Sequence, residues 1–244
     1  MFDTNKKPAG DQKRRGGYYT PLKLASFLAK WAVRGGKQRI LEPSSGDGNF
    51  VVACLEQSQN SHKNLLEPKI EIVAVEIEKE EIQKGKARVQ ALVNGHFRVE
   101  WLAGDFLSLF EALKKAGLFD AVLGNPPFIR FQYFDDKSRE VAFTHLRSAD
   151  YHPTKLANAW AAFVELSIEL LADGGRLAMV VPAELLQVKY AAELRSRLSK
   201  HFEHIVLIGF RPKFRAKFAV STVEKSGVHR PNFARRIGHA HLRF

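Results

Sequence analysis

The sequence predicts an α/β fold: a mostly parallel sheet of six or seven strands with helices on both faces. Three observations carry this prediction. Short apolar runs recur along the chain and read as strands buried on both faces. Helix-length segments separate them, the order expected of repeated βαβ units. The first run ends in a glycine-punctuated turn that leads directly into a helix, and the fourth ends in Asn125-Pro126-Pro127-Phe128.

The elements follow in order. Thr20-Pro21 reads as a helix start, threonine at the N-cap and proline at the first helical position. Leu24, Leu28 and Trp31 then recur on one face, and Gly35-Gly36 stop the helix. Arg39 to Glu42 is the first strand, with a helix from about Asn49 to Gln57. The second strand, Ile70 to Val75, ends in Glu76, and a helix over about 78–93 stops at Asn94-Gly95. Phe97 to Leu102 is the third strand, and a helix over about 107–116 stops at Gly117. Phe119 to Gly124 is the fourth strand. Residues 130–152 mix aromatic and charged side chains without a clean period, which suggests a mobile loop and short helix. A long helix over about 156–172 is closed by Gly174-Gly175. Strand five (Arg176 to Val181), a helix over about 183–200 and strand six (His204 to Ile208) complete the pattern. Phe218 to Val223 is expected as a seventh strand, antiparallel at the sheet edge.

Composition narrows the function classes. The 244 residues suffice for one well-buried α/β domain. No apolar run approaches the roughly 18 residues of a membrane span. The polar, basic start has no apolar signal core, so a cytoplasmic location is expected. The single cysteine, Cys54, excludes an internal disulfide and reads as a small core residue. His201-x-x-His204 and His239-x-His241 lack further ligands at plausible spacing, so no metal site is expected. The net charge is +12, and residues 211–244 hold nine Lys or Arg against one acid. Such a balance favours a polyanionic partner, with a solvated tail as the plainer alternative.

The residues with chemical meaning sit at predicted strand ends, where open α/β sheets bind ligands. Pro126 and Pro127 lack N–H groups and hold the residues before them extended. Asn125 and Pro126 thereby present two fixed acceptors, a side-chain oxygen and a carbonyl, beside the aromatic face of Phe128. Two acceptors and a stacking face suit a planar amine such as N6 of adenine. In the turn Glu42-Pro43-Ser44-Ser45-Gly46-Asp47-Gly48, the glycines permit close approach of a ligand. Val51 stands where a dinucleotide fingerprint would carry its third glycine, so pyrophosphate is disfavoured. The acids Glu42 and Asp47 suit a cationic ligand instead. Glu76 is placed to take two ribose hydroxyls. Asp105 could accept from an adenine amine, with Phe106 against the ring. Any one of these acids alone reads as a helix N-cap; three at successive strand ends are not easily explained that way.

Tyr18-Tyr19-Thr20-Pro21, the glycine motif, Glu76, Asp105 and Asn125-Pro126-Pro127-Phe128, in that order, resemble the gamma class of S-adenosylmethionine-dependent N6-adenine DNA methyltransferases. The resemblance covers roughly Gly17 to Phe210 and includes Asn158 to Phe163, Leu170 to Arg176 and Val180-Val181-Pro182. It implies the Rossmann-like class I methyltransferase fold and S-adenosyl-L-methionine as cofactor. It also implies roles. The segment Tyr19-Thr20-Pro21 would close the methionine end of the pocket. Glu42, Pro43, Ser44, Gly46, Asp47 and Gly48 would surround the amino-acid part. Glu76 and Ile77 would hold the ribose and flank the adenine, which Asp105 and Phe106 would read. Asn125, at the junction of the two sites, and Pro126 would bind the target amine. Phe128 would stack on an adenine flipped out of DNA.

One domain is expected over residues 17–223, between a flexible basic start (1–16) and, on composition, a basic, disordered tail (224–244). Members of the class continue into a large target-recognition domain. The expected partners are therefore DNA and either such a domain or a specificity subunit. The tetrapeptide also serves enzymes acting on protein glutamine or ribosomal RNA, and a catalytically silent cofactor-binding remnant is a further alternative.

Overall fold

The computed structural model describes residues 19–34, 36–61, 70–93, 97–134, 136–148, 152, 158–187, 191–210 and 217–225. The expected flexible start (1–16), the Asn94-Gly95 stop and nearly all of the basic tail lie outside them.

In chain order the elements are α1 (Leu22–Ala32), β1 (Gln38–Glu42), α2 (Asn49–Ser61), β2 (Ile70–Glu76), α3 (Lys79–Val89), β3 (Phe97–Ala103), α4 (Phe106–Ala116) and β4 (Phe119–Gly124). A short 3₁₀ turn (Phe131–Tyr133), α5 (Asp136–Ser148), α6 (Ala159–Glu169) and β5 (Leu171–Pro182) follow. The chain then forms α7 (Glu184–Gln187), α8 (Ala192–His201), β6 (Phe202–Phe210) and β7 (Lys217–Lys225).

The strands form one sheet in the order β3-β2-β1-β4-β5-β7-β6. β1 through β5 pair in parallel. β7 runs antiparallel between β5 and β6.

Alternate side chains of each central strand enter two separate cores, as the two-residue period of a pleated strand requires. Leu41, Val73, Val75, Val122, Leu177, Met179 and Val181 face one core, which α4, α5, α6 and α8 cover. Ile40, Ile72, Ala74, Ala121, Leu123, Ala178 and Val180 face the other, under α1, α2 and α3. Both faces being buried explains why these runs are continuously apolar. Each fully buried Leu, Ile or Val contributes about 1.5–3 kcal/mol of transfer free energy.

β1 and β4 are neighbours, with Ile40 opposite Ala121 and Leu41 opposite Val122. From this pair the chain winds outward to β2 and β3 on one side and to β5 on the other. The strand order reverses at this pair, and such sheets place ligands at the carboxyl ends of the strands there.

Several sequence expectations need correction. Pro21, not Thr20, is the N-cap of α1, and no side chain caps it. Instead the Pro21 carbonyl accepts from the N–H groups of Leu24 (2.9 Å) and Ala25 (3.1 Å). After the tetrapeptide the expected short helix is present as α5, 13 residues long, and residues 135 and 149–151 of that segment lie outside the described ones. Phe131 anchors α5, with its ring centroid 5.5 Å from that of Phe134 and 5.0 Å from that of Phe143. α6 begins where Asn158 accepts from Trp160 N–H, and it ends at Glu169. Leu171 already pairs with Phe119, and the register then shifts so that Arg176 pairs with Ala121. Gly174-Gly175 therefore form a bulge within β5, Gly174 at φ 73°, rather than a helix stop. The helix expected over 183–200 is divided into α7 and α8. The antiparallel strand is interior, and β6 forms the edge.

Candidate cofactor and catalytic site

The turn after β1 is shaped by two glycines and one hydrogen-bonded acid. Gly46 (φ 52°) and Gly48 (φ 83°) occupy the left-handed region that side chains avoid. The Gly46 N–H donates to Glu76 Oε2 at 2.7 Å, and the Glu78 N–H donates to Glu76 Oε1 at 2.9 Å. The Ser45 N–H donates to the Val75 carbonyl at 2.8 Å. The turn is thus tied to the end of β2. The Glu76 carboxylate retains acceptor capacity for a further donor. Burial raises the Glu76 carboxyl above the usual range, against the lowering effect of the N–H groups of Glu78, Gly46 and Ile77. Ile77 follows as a 65% exposed apolar side chain at the same edge.

Glu42 closes β1 and lies beneath the turn, 2% exposed. Its Oε2 has no hydrogen-bond partner among the described residues. Burial, then the charges of Glu76 and Asp47, push its carboxyl well above the ordinary value; the Val51 N–H acts the other way. A buried acceptor without a donor is costly unless something fills the place.

The tetrapeptide stands beside this turn. Ser44 Oγ donates to the Asn125 carbonyl at 3.1 Å. A Cβ on Gly124 would lie 3.3 Å from Pro43 Cδ, so the missing side chain lets the two strand ends approach. Pro126 is buried, while Asn125, Pro127 and Phe128 are partly exposed. Phe128 packs against both cores. Beyond it, the Ala159 N–H donates to the Ile129 carbonyl at 2.7 Å, and Arg130 bridges Asn158. The stiff extended segment is therefore held at both ends.

Tyr19 and Thr20 approach from the other side of the turn. The Tyr19 ring lies 3.8 Å from where a Cβ on Gly46 would be. Burial and the hydrogen-bonded Glu81 carboxylate raise the pKa of its hydroxyl. Thr20 is buried, and its carbonyl accepts from Asn49 Nδ2 at 3.0 Å.

Three expected ligand contacts look different in the structure. Asp105 is the N-cap of α4, accepting from the N–H groups of Leu107 (3.3 Å) and Ser108 (3.2 Å) and from Ser108 Oγ (2.9 Å). One Oδ1 lone pair is left for a further donor. Phe106 is 1% exposed, with its ring centroid 4.9 Å from that of Phe163. As the first residue of α4 it turns into the core, so its ring offers no surface to a nucleobase here. Asp47, expected to face a cationic ligand, pairs with Arg88 at 2.7 Å. Asn49 and Arg88 are the residues sequence reasoning left without a role. An isolated arginine on a solvent-facing helix carries no local signal of partners 39 and 41 residues away.

Solved structures share this architecture. A Listeria monocytogenes protein assigned by inference to the class I S-adenosylmethionine-dependent methyltransferases superposes with a TM-score of 0.70 at 17% identity, covering 93% of this chain and 66% of that one. The M protein of the type I restriction enzyme EcoKI superposes with a TM-score of 0.63 at 16% identity, covering 90% of this chain and 46% of that one. The fold is the Rossmann-like class I methyltransferase fold. The Eco57I restriction-modification methylase family matches residues 25–214, and the chain belongs to that family. Among curated relatives, the type II methyltransferase M.AccI of Acinetobacter calcoaceticus is 28% identical over 205 residues, 82% of this chain and 34% of the relative. The type II methyltransferase M.TthHB8I of Thermus thermophilus is 28% identical over 204 residues, 82% of this chain and 42% of the relative. The chain thus spans about a third to two-fifths of the length of these relatives.

Proposed function

We propose that this chain carries the catalytic unit of a DNA methyltransferase that moves a methyl group from S-adenosylmethionine to the N6 amine of adenine. The observation that carries the reading is the junction at the switch point. A turn with an orphaned buried carboxylate oxygen is hydrogen-bonded, through Ser44, to the tetrapeptide with its two fixed acceptors.

The residues fit the cofactor. Glu42 Oε2 offers an acceptor for the ammonium of its amino-acid end, and the positive-φ glycines Gly46 and Gly48 shape the turn above it. Glu76 has acceptor capacity for ribose hydroxyls, and exposed Ile77 offers an apolar face for adenine. When bound, S-adenosylmethionine supplies an activated methyl group on a sulfonium sulfur.

The protein then has alignment to provide. The N6 lone pair of adenine is delocalised into the ring and is a poor nucleophile. The Asn125 side-chain oxygen and the Pro126 carbonyl accept hydrogen bonds from the two N6–H groups and favour a tetrahedral nitrogen, which frees the lone pair. Phe128 stacks on the flipped base. Positioning of this kind is worth several kcal/mol without a catalytic His or Cys. The described elements all belong to the sheet and its helices. Reading of the DNA sequence therefore falls to residues beyond them or to a specificity subunit.

The test is transfer of labelled methyl from S-adenosylmethionine to DNA, RNA and glutamine-containing peptides, with nucleoside analysis of the product. Label in N6-methyladenine from DNA, abolished by Asn125→Ala, is the expected result. Label confined to RNA or peptide would redirect the reading to another acceptor.

A further inference from the structure

We infer that Arg88 is a positioning residue of the cofactor pocket, which fastens the glycine turn and the Tyr19-Thr20 segment to helix α3 through Asp47 and Asn49. The inference rests on the reading of this pocket as an S-adenosylmethionine site. Arg88 Nη1 donates to the Asp47 carbonyl at 3.0 Å and meets Asp47 Oδ2 at 2.7 Å. Arg88 Nη2 donates to Asn49 Oδ1 at 2.6 Å. A guanidinium has only donors, so it fixes the Asn49 amide with its oxygen toward Arg88. The amide nitrogen is thereby turned to the Thr20 carbonyl, 3.0 Å away. One planar fork thus serves a backbone carbonyl, a carboxylate and an amide together, which the point charge of lysine cannot do.

Two consequences follow for the ligand. First, the Asp47 carboxylate is already paired with Arg88, which leaves the buried, unpartnered Glu42 oxygen as the acid for a cationic group. Second, α3 grips the Tyr19-Thr20 segment twice, through Arg88 and Asn49 at Thr20 and through Glu81 at the Tyr19 hydroxyl. The Tyr19 ring is thereby kept against Gly46. Arg88 touches no ligand in this scheme and acts through others.

The experiment is calorimetric titration of S-adenosylmethionine into the 244-residue chain and its Arg88→Ala, Arg88→Lys, Asn49→Ala and Asn49→Ala/Arg88→Ala variants, with melting curves of each. Arg88→Ala and Asn49→Ala are each expected to weaken binding about tenfold, the loss of one charge-assisted contact. The double variant should be no weaker than Arg88→Ala, because both act through one chain of contacts. Arg88→Lys should melt like the wild type yet recover less than half of the lost affinity on a logarithmic scale. If Arg88→Ala does not fold, Arg88→Lys and Asn49→Ala decide: weakening by about threefold or more in both supports the inference, and less than that in either overturns it. Independent, multiplying losses in the double variant would also overturn it. A folded wild type that binds nothing would instead bring down the cofactor reading itself.

Discussion

Ser44 Oγ donates to the Asn125 carbonyl at 3.1 Å, joining the turn after β1 to the tetrapeptide after β4 across 81 residues of sequence. The two segments that define the site are therefore one structural unit. Ser44→Ala should lower stability by about 0.5–1.5 kcal/mol, the net value of a neutral hydrogen bond. It should also reduce methyl transfer more than cofactor affinity, since Asn125 loses its anchor. Denaturant titration and parallel binding and turnover measurements check both parts.

Gly85 and Gly48 make a second tight contact behind the turn. A Cβ on Gly85 would lie 2.3 Å from Trp101 Cη2, and one on Gly48 would lie 3.2 Å from Gly85 Cα. Gly85→Ala should cost about 1–3 kcal/mol through overpacking. It should also weaken cofactor binding by displacing Gly48. Adding Trp101→Leu should restore most of the stability. An unchanged denaturation midpoint for Gly85→Ala would refute this packing argument.

Burial raises the Glu42 carboxyl well above its usual value. A cationic ligand favours the ionised form, so binding should expel a proton. Affinity is then weakest at low pH and rises as pH increases through and beyond the ordinary carboxylate range. Glu42→Gln should weaken binding and flatten that dependence. Calorimetry in buffers of different ionisation enthalpy measures the released proton directly.

Glu165, 0% exposed on α6, is a raised carboxyl away from the site, pushed up to about 7 chiefly by burial against the pull of Arg197. The folded state holds this proton more tightly than the unfolded chain. Its contribution is complete below about pH 4.5 and is lost as pH rises through about 7. Glu165→Gln should flatten the stability profile in that window, with an effect of about 1–3 kcal/mol between its ends. A profile unchanged by the substitution would show that Glu165 does not titrate there.

How much could be read from sequence depended on where each signal lay. The central strands were legible because both faces are buried, which makes runs such as Ile70 to Val75 continuously apolar. The turn and the tetrapeptide were legible because glycine and proline restrict the backbone locally. α5 was legible only as a short helix without bounds, because Ala142 and Leu146 are buried among charged residues that find partners only in the fold, as Arg139 does with the Phe134 carbonyl at 3.3 Å. The interior place of β7 depends on pairing with β5 and β6, which no local pattern encodes. Asp105 illustrates a true ambiguity, since one carboxylate at a strand end serves equally as a helix cap.

Titration of S-adenosylmethionine into the wild-type chain, Glu76→Ala and Asn125→Ala tests the central claim most directly. The account predicts one site on the wild type, and affinity reduced by about 1–3 kcal/mol in Glu76→Ala through loss of charged hydrogen bonds. It predicts nearly unchanged affinity in Asn125→Ala, which acts on the target amine. Absence of binding by the folded wild-type chain, or equal binding by Glu76→Ala, would contradict it.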